Sequence, residues 1–221
     1  MRNVLLLATL LFCAPITILK AKILYVGADE QYKTISAVMW DVSPGDTIIV
    51  RDGVYDKSIN IISPLTLKAE HRHKAIIGDG IGTEGVFKLR CSNVIIDGFK
   101  FMDNPDWPGI ALGGLDSSKM AMNCKIINNE IINRKNGIRF STFTKNCLVD
   151  NNIITGSTED GIIHAGESHT ISNNRIEGSG ACGIQVFEIS MGPISIMGNT
   201  LRLSVSHGIE IRSSGITLKN N

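Results

Sequence analysis

Arg139, Gln185 and Glu210 each stand two residues after the glycine of a repeated Gly-Ile phrase, and Ile163 holds the same offset in a fourth copy. The phrase occurs at Gly137-Ile138, Gly161-Ile162, Gly183-Ile184 and Gly208-Ile209. Two residues further on come Ser141, Ala165, Phe187 and Arg212, and just ahead of the glycines lie Lys135, Glu159, Asp160 and His207. Stacked copies would gather these side chains on one face. Arg139 or Arg212 could grip a carboxylate through a bidentate guanidinium fork, and Arg139 or Lys135 could move a proton. Glu159 and Asp160 could lend oxygens to calcium, which takes about six to eight of them. Glu159-Asp160-Gly161 also has the composition of an ordinary solvated acidic turn, the commoner use of such residues.

A second phrase argues that the copies do stack. Asn128-Asn129 recurs as Asn151-Asn152, Asn173-Asn174, Gly198-Asn199 and Asn220-Asn221, with second members 23, 22, 25 and 22 residues apart. Two markers in constant phase at roughly 20–25 residues mean one structural unit repeated along an axis. Between the markers the pattern alternates, with Ile126, Val149, Ile171, Ile196 and Leu218 at one inward position. Period-2 alternation with β-branched residues predicts short strands. Such units form the turns of a parallel β-helix, all-β, with neighbouring turns about 4.8 Å apart. The repeated Asn is expected at a bend, where it tolerates a left-handed backbone and its amide can bond from coil to coil. The glycine of Gly-Ile is expected to supply a positive φ at a corner. In this register Ile138, Ile162, Ile184 and Ile209 face inward, as do Phe140, His164, Val186 and Ile211. Arg139, Ile163, Gln185 and Glu210 then face outward with Ser141, Ala165, Phe187 and Arg212 beside them. Lys145, Glu167, His169 and Glu188 fall on the opposite rim.

The ends and the composition fit this frame. Thr34 to Val42 is a candidate amphipathic cap helix, with Thr34 as N-cap and Ile35, Val38, Met39 and Val42 on one face. The chain closes on Asn220-Asn221 in mid-repeat, the pattern of a piece of a longer protein. Residues 1–21 have the makings of a cleaved export signal, with Arg2 ahead of the apolar run from Val4 to Ala14. That run is short of the roughly 20 residues that span a bilayer, so an uncleaved anchor is second choice. A secreted or periplasmic protein is expected, with residues 22–221 as one β-helix domain. Without Arg2 and Lys20, 20 basic residues face 21 acidic ones, a balance that offers no field for nucleic acid or an anionic membrane surface. Cys124 and Cys147 share an inward column with His169. Stacked strands suit disulfide geometry poorly, and the column lacks a fourth ligand and has a spacing unlike known zinc patterns, so core packing with free thiols is expected.

The phrases Ser-Asn-Val-Ile-Ile-Asp-Gly-Phe (92–99) and Thr-Ile-Ser-Asn-Asn-Arg-Ile (170–176), with the later Gly-Ile strands, resemble the right-handed parallel β-helix repeats of pectin-lyase-like proteins. The run Tyr32-Lys33-Thr34-Ile35-Ser36, then Pro44 through Tyr55 and Pro64 through Glu70, looks most like the alginate lyase and chondroitinase B family. The resemblance implies a polysaccharide partner lying along the face after the Gly-Ile corner. It implies uronate cleavage by β-elimination, with a cation or basic side chains neutralising the sugar carboxylate while a Lys or Arg takes the neighbouring proton. The family's catalytic residues sit in later coils, so none is carried over here. A glycoside hydrolase would need two carboxylates about 5–9.5 Å apart. Asp160 and Glu210, two coils and about 10 Å apart, are marginal for that, and His164 faces inward. A non-catalytic glycan-binding β-helix is the remaining reading, with Phe187, Ile163 and Trp107 as apolar or stacking contacts.

Overall fold

The computed structural model describes residues 20–55, 58–78 and 86–221. Apart from its last two residues, the export signal read over 1–21 lies outside the described residues. No helix among the described residues is long and apolar enough to cross a membrane.

The chain coils through three long parallel sheets, with a short parallel pair, Ala121–Met122 and Thr144–Lys145, beside them. One has nine strands, from Ile23–Val26 to Ile216–Lys219, and two have seven. Each strand pairs in parallel with its counterpart one coil away; Lys125–Ile127, for example, lies between Ile95–Asp97 and Leu148–Asp150. The expected inward column is in register through Ile126, Val149, Ile171, Ile196 and Leu218. Its first four members are fully buried. Burying one stacked aliphatic of this size contributes about 1.5–3 kcal/mol. Toward the N-terminal coils the filling turns aromatic: the Phe87 ring meets Phe99 edge-on at 5.3 Å and Phe101 at 5.0 Å.

The two members of the Asn pair differ in backbone. The first members, Asn128, Asn151, Asn173 and Asn220, take positive φ of 53–59°, and Gly198 replaces them with 65°. The second members from Asn129 to Asn199 are buried and extend their amides along the axis. Asn129 Nδ2 donates to Asn152 Oδ1 at 3.1 Å, Asn152 to Asn174 at 3.0 Å, and Asn174 to Asn199 at 3.0 Å. The bend and the ladder were expected of one Asn. The first members do both, since Asn151 Nδ2 donates to Asn128 Oδ1 at 2.8 Å and Asn128 Nδ2 to Asp97 at 2.7 Å, and the second members add a buried ladder beside them.

The glycine of Gly-Ile has a different cause from the one expected. Gly137, Gly161, Gly183 and Gly208 are absent from the positive-φ residues. A Cβ at Gly137 would lie 2.6 Å from the Gly161 carbonyl oxygen, one at Gly161 2.6 Å from that of Gly183, and one at Gly183 2.6 Å from that of Gly208. Close backbone approach between coils, rather than dihedral freedom, excludes a side chain here.

Two further corners carry positive-φ columns of mixed residue type. Asn93, Asn123, Asn146, Ser168, Gly192 and Gly215 form one; Asp103, Asn133, Gly156, Gly178 and Leu203 form the other. Leu203, at φ 55° and largely exposed, is the misfit. A left-handed backbone costs an L-residue about 1–2 kcal/mol, so Leu203→Gly is expected to stabilise by about 0.5–1 kcal/mol after the added freedom of the unfolded chain. An unchanged or lower urea midpoint would refute this.

The cap helix expected over Thr34 to Val42 is not found as such: only a single helical turn forms, Ile35–Val38, with Thr34 Oγ1 accepting from the Ala37 amide at 3.2 Å. Ile35 and Val38 are buried, while Trp40 is almost wholly exposed. Isolated helices this short carry a costly nucleus, and beyond Val38 the chain continues in turns. Cys91, Cys124, Cys147 and Cys182 are free thiols.

Candidate functional site

The Gly-Ile strands build one seven-stranded face, including Phe87–Leu89, Ile110–Leu112, Ile138–Phe140, Ile162–His164, Ile184–Val186 and Ile209–Ile211. Its outward column runs in register through Lys88, Ala111, Arg139, Ile163, Gln185 and Glu210. The four residues picked from the sequence therefore do share one face. Beside them, Ser141 donates its amide to the Leu112 carbonyl, Phe187 to His164 and Arg212 to Val186, so the second column is also aligned. Ile163 and Ala165 point outward but are 8 % and 4 % exposed, forming a floor rather than a rim.

Two recesses open on this face. One of about 470 Å³ is bounded by Lys88, Arg90, Trp107, Lys135 and Arg139. The other, of about 440 Å³, is bounded by Arg139, Glu159, Ile163, Phe187 and Ile189. Lys135, Arg139 and Ser141 line both, so the two form one trough with Arg139 and Lys135 at its middle. Arg139 is exposed. It makes no side-chain hydrogen bond or ion pair among the described residues, a guanidinium with its donors facing the trough. Lys135 faces Glu159 at 3.5 Å, both about half exposed. Such a pair contributes little to stability and opens readily.

Trp107 is set in place by a residue the sequence did not bring forward. Arg134 is fully buried, and its guanidinium donates to the carbonyls of Met102 (3.1 Å), Trp107 (3.3 Å) and Pro108 (3.0 Å). Burial lowers its pKa to about 10, with Asp103 opposing the shift. This one side chain ties the 102–108 loop to the coil below and leaves Trp107 41 % exposed at the trough wall. Lys88 Nζ lies 5.3 Å from the Trp107 ring centroid, a cation–π distance. Lys88 and Arg90 were also missed, because their coil lacks the Gly-Ile phrase. Gly109-Ile110, a further copy, would have extended the column by one coil.

Of the proposed calcium ligands, neither Glu159 nor Asp160 belongs to a convergent group. Asp160 is buried, and its Oδ1 accepts the Cys182 amide at 2.8 Å. Burial raises its pKa, against that hydrogen bond. Asp160 is thus a wall acceptor rather than part of a solvated turn, and Glu159 is engaged with Lys135. Glu210 accepts from Gln185 at 2.8 Å and from Arg212 at 2.7 and 2.9 Å. These donors, Gln185 first, hold its pKa down to about 2. Glu210 is therefore an anion already satisfied, and Arg212 is largely spent on it.

The opposite rim is corrected at one position. Lys145 and Glu167 pair at 2.7 Å, whereas His169 is buried, following Cys124 and Cys147 in the inward column. Its Nδ1 accepts the Cys147 amide at 2.9 Å and its Nε2 meets Thr144 Oγ1 at 3.1 Å. Both nitrogens are engaged inside the core. His164 is buried as expected, but only half satisfied: Nδ1 meets Ser190 Oγ at 3.0 Å and Nε2 has no partner among the described residues.

Three stacked parallel sheets with an outward trough define a parallel β-helix. The chain belongs to the right-handed β-helix region family, whose profile matches residues 84–221. Its fold is similar to that of an alginate lyase from Paenibacillus (TM-score 0.72, 16 % identity, 90 % of this chain and 75 % of that one). It is also similar to a pectate lyase (0.54, 11 %, 89 % and 78 %). The catalytic unit of an α-1,3-glucanase from Streptomyces thermodiastaticus matches as well (0.54, 14 %, 83 % and 43 %). No curated protein matches the chain in sequence. At these identities the likeness concerns the fold, which hosts several chemistries.

Proposed function

We propose that this is a secreted polysaccharide-active protein whose trough takes a uronate-bearing chain and cleaves it by β-elimination. The observation that carries the reading is the unpaired Arg139, set with Lys88, Arg90 and Lys135 around the exposed Trp107. A cationic trough with a stacking ring suits a sugar that carries a carboxylate, since the ring covers an apolar sugar face while guanidinium and ammonium meet the charge. In the proposed reaction Arg139 neutralises the carboxylate, and Lys135, released from Glu159 and having first given its ammonium proton to solvent, takes the proton on the adjacent carbon as the neutral amine. That C–H electron pair forms the C=C bond as the glycosidic C–O bond breaks. The departing oxygen takes a proton, and no water is consumed. Calcium at Glu159 and Asp160 has no part in this scheme. A binding role without turnover is the second reading, favoured by Glu210 being already saturated by Gln185 and Arg212.

The test is the protein recovered from outside the cytoplasm, its chain starting at Lys22, against uronate polysaccharides with and without calcium. Near-ultraviolet absorbance reports the unsaturated product and a separate assay reports reducing ends. Losing a charged hydrogen-bond partner costs about 1.5–3 kcal/mol, so Arg139→Ala is expected to weaken binding about 10- to 100-fold. Reducing ends without absorbance would mean hydrolysis. Retained binding with neither signal would leave a binding module, and binding unaffected by Arg139→Ala would remove the trough from the argument.

A further inference from the structure

At the far end of the same face, the residue before each Gly-Ile glycine forms a column of its own. Gly137 donates its amide to the Asp160 carbonyl, Gly161 to Cys182 and Gly183 to His207, so Asp160, Cys182 and His207 follow one another coil by coil. The last two meet a third ligand type. A thiol sulfur of Cys182, a ring nitrogen of His207 and a carboxylate oxygen of Glu210 lie within 4.8 Å of one another. We infer that Cys182, His207 and Glu210 form a site for a zinc-class divalent cation at the edge of the trough, a site independent of the lyase reading.

Three features favour this. The donor set combines sulfur, imidazole nitrogen and carboxylate oxygen, which suits a borderline-soft ion such as zinc and is wrong for calcium or magnesium. Three protein ligands are the usual complement of an open zinc site, whose fourth position is left to water or a bound group. Each flexible ligand is also oriented by a neighbour. Ser206 Oγ meets His207 Nδ1 at 2.9 Å, Gln185 Nε2 donates to Glu210 Oε2 at 2.8 Å, and Arg212 holds Glu210 Oε1. Such supporting contacts are a regular accompaniment of metal ligands. Cys182 itself is buried, with Sγ 3.5 Å from Glu210 Oε2, so a thiolate formed there would need a cation beside it. On binding, the thiol proton leaves to solvent, and thiolate plus carboxylate balance the double charge.

The other convergent group among the described residues, Asp52, Glu70 and His71, lies at the surface and lacks a thiol. It serves as an internal control. The full chain, reduced and stripped of metal, is titrated with cobalt(II), then competed with zinc. One equivalent of cobalt is expected to give the near-ultraviolet thiolate-to-metal charge-transfer band, and zinc to abolish it. Cys182→Ser should remove the band, and His207→Ala should weaken zinc binding at least tenfold. His71→Ala should change neither. His207 is exposed, so its variant decides the matter if Cys182→Ser fails to fold. The absence of a thiolate band in the unaltered chain, or zinc affinity unchanged in His207→Ala, would overturn the site.

Discussion

Asn152→Ala is expected to destabilise the protein by about 3–5 kcal/mol. The Asn152 carboxamide accepts from the Asn129 amide at 2.9 Å and from Asn129 Nδ2 at 3.1 Å, and it donates to the Ile126 carbonyl at 2.9 Å and to Asn174 Oδ1 at 3.0 Å. Truncation leaves the buried Asn129 backbone N–H without its acceptor and takes a donor from the Ile126 carbonyl, while Asn129 Nδ2 keeps only the Ile96 carbonyl at 3.2 Å, all where water does not reach. Each orphaned buried group costs about 1–3 kcal/mol. Asp cannot substitute, since its oxygens could replace the acceptor but not the donor. The neighbouring Asn151 provides the contrast. Its φ of 55° is one that glycine adopts freely, so Asn151→Gly should stay within about 0.5 kcal/mol. Chemical denaturation of the two variants measures the difference. If Asn152→Ala costs no more than Asn151→Gly, the ladder is a by-product of stacking and not a source of stability.

Acidification is expected to unfold the protein from the inside. Phe140, His164 and His169 nest together, with ring centroids 5.5 Å, 4.6 Å and 4.8 Å apart. Burial lowers the pKa of His164 to about 4, and burial together with His164 lowers that of His169 to about 3. The geometry explains the direction. The Nδ1 atom of His169 already accepts the Cys147 amide and has no room for a proton, while the Nε2 of His164 has no partner among the described residues. In the unfolded chain both imidazoles take up protons near pH 6.5. The unfolded state therefore binds more protons below that pH, and stability present above 6.5 falls as pH drops toward the folded values. At about 1.4 kcal/mol per pH unit for each imidazole, His164 alone accounts for roughly 3 kcal/mol by pH 4. His164→Leu should flatten the decline in melting temperature over this window by about half. An equally steep decline in the variant would place the acid sensitivity elsewhere.

The sequence by itself determined the coil. Two phase-locked phrases give the repeat, and alternation with a period of two is unambiguous about which side chains face in. The outward alignment of Arg139, Ile163, Gln185 and Glu210 could therefore be read from spacing. The family resemblance reached the same architecture from other residues. Tertiary structure decided why the markers are there and what the outward residues do. Gly161 is glycine because of a carbonyl one coil away, which no local pattern reveals. The two further positive-φ columns were hidden because Asn, Asp, Ser and Gly all satisfy that backbone, and a position open to four residue types leaves no repeated letter. Arg134 resembled any surface arginine until the 102–108 loop closed over it. Asp160 and Glu159, adjacent in sequence, part company because one side chain turns into the wall and the other meets Lys135. Spacing along the chain fixes register, but the charge and hydrogen bonding of a site depend on loops of unequal length crossing between coils.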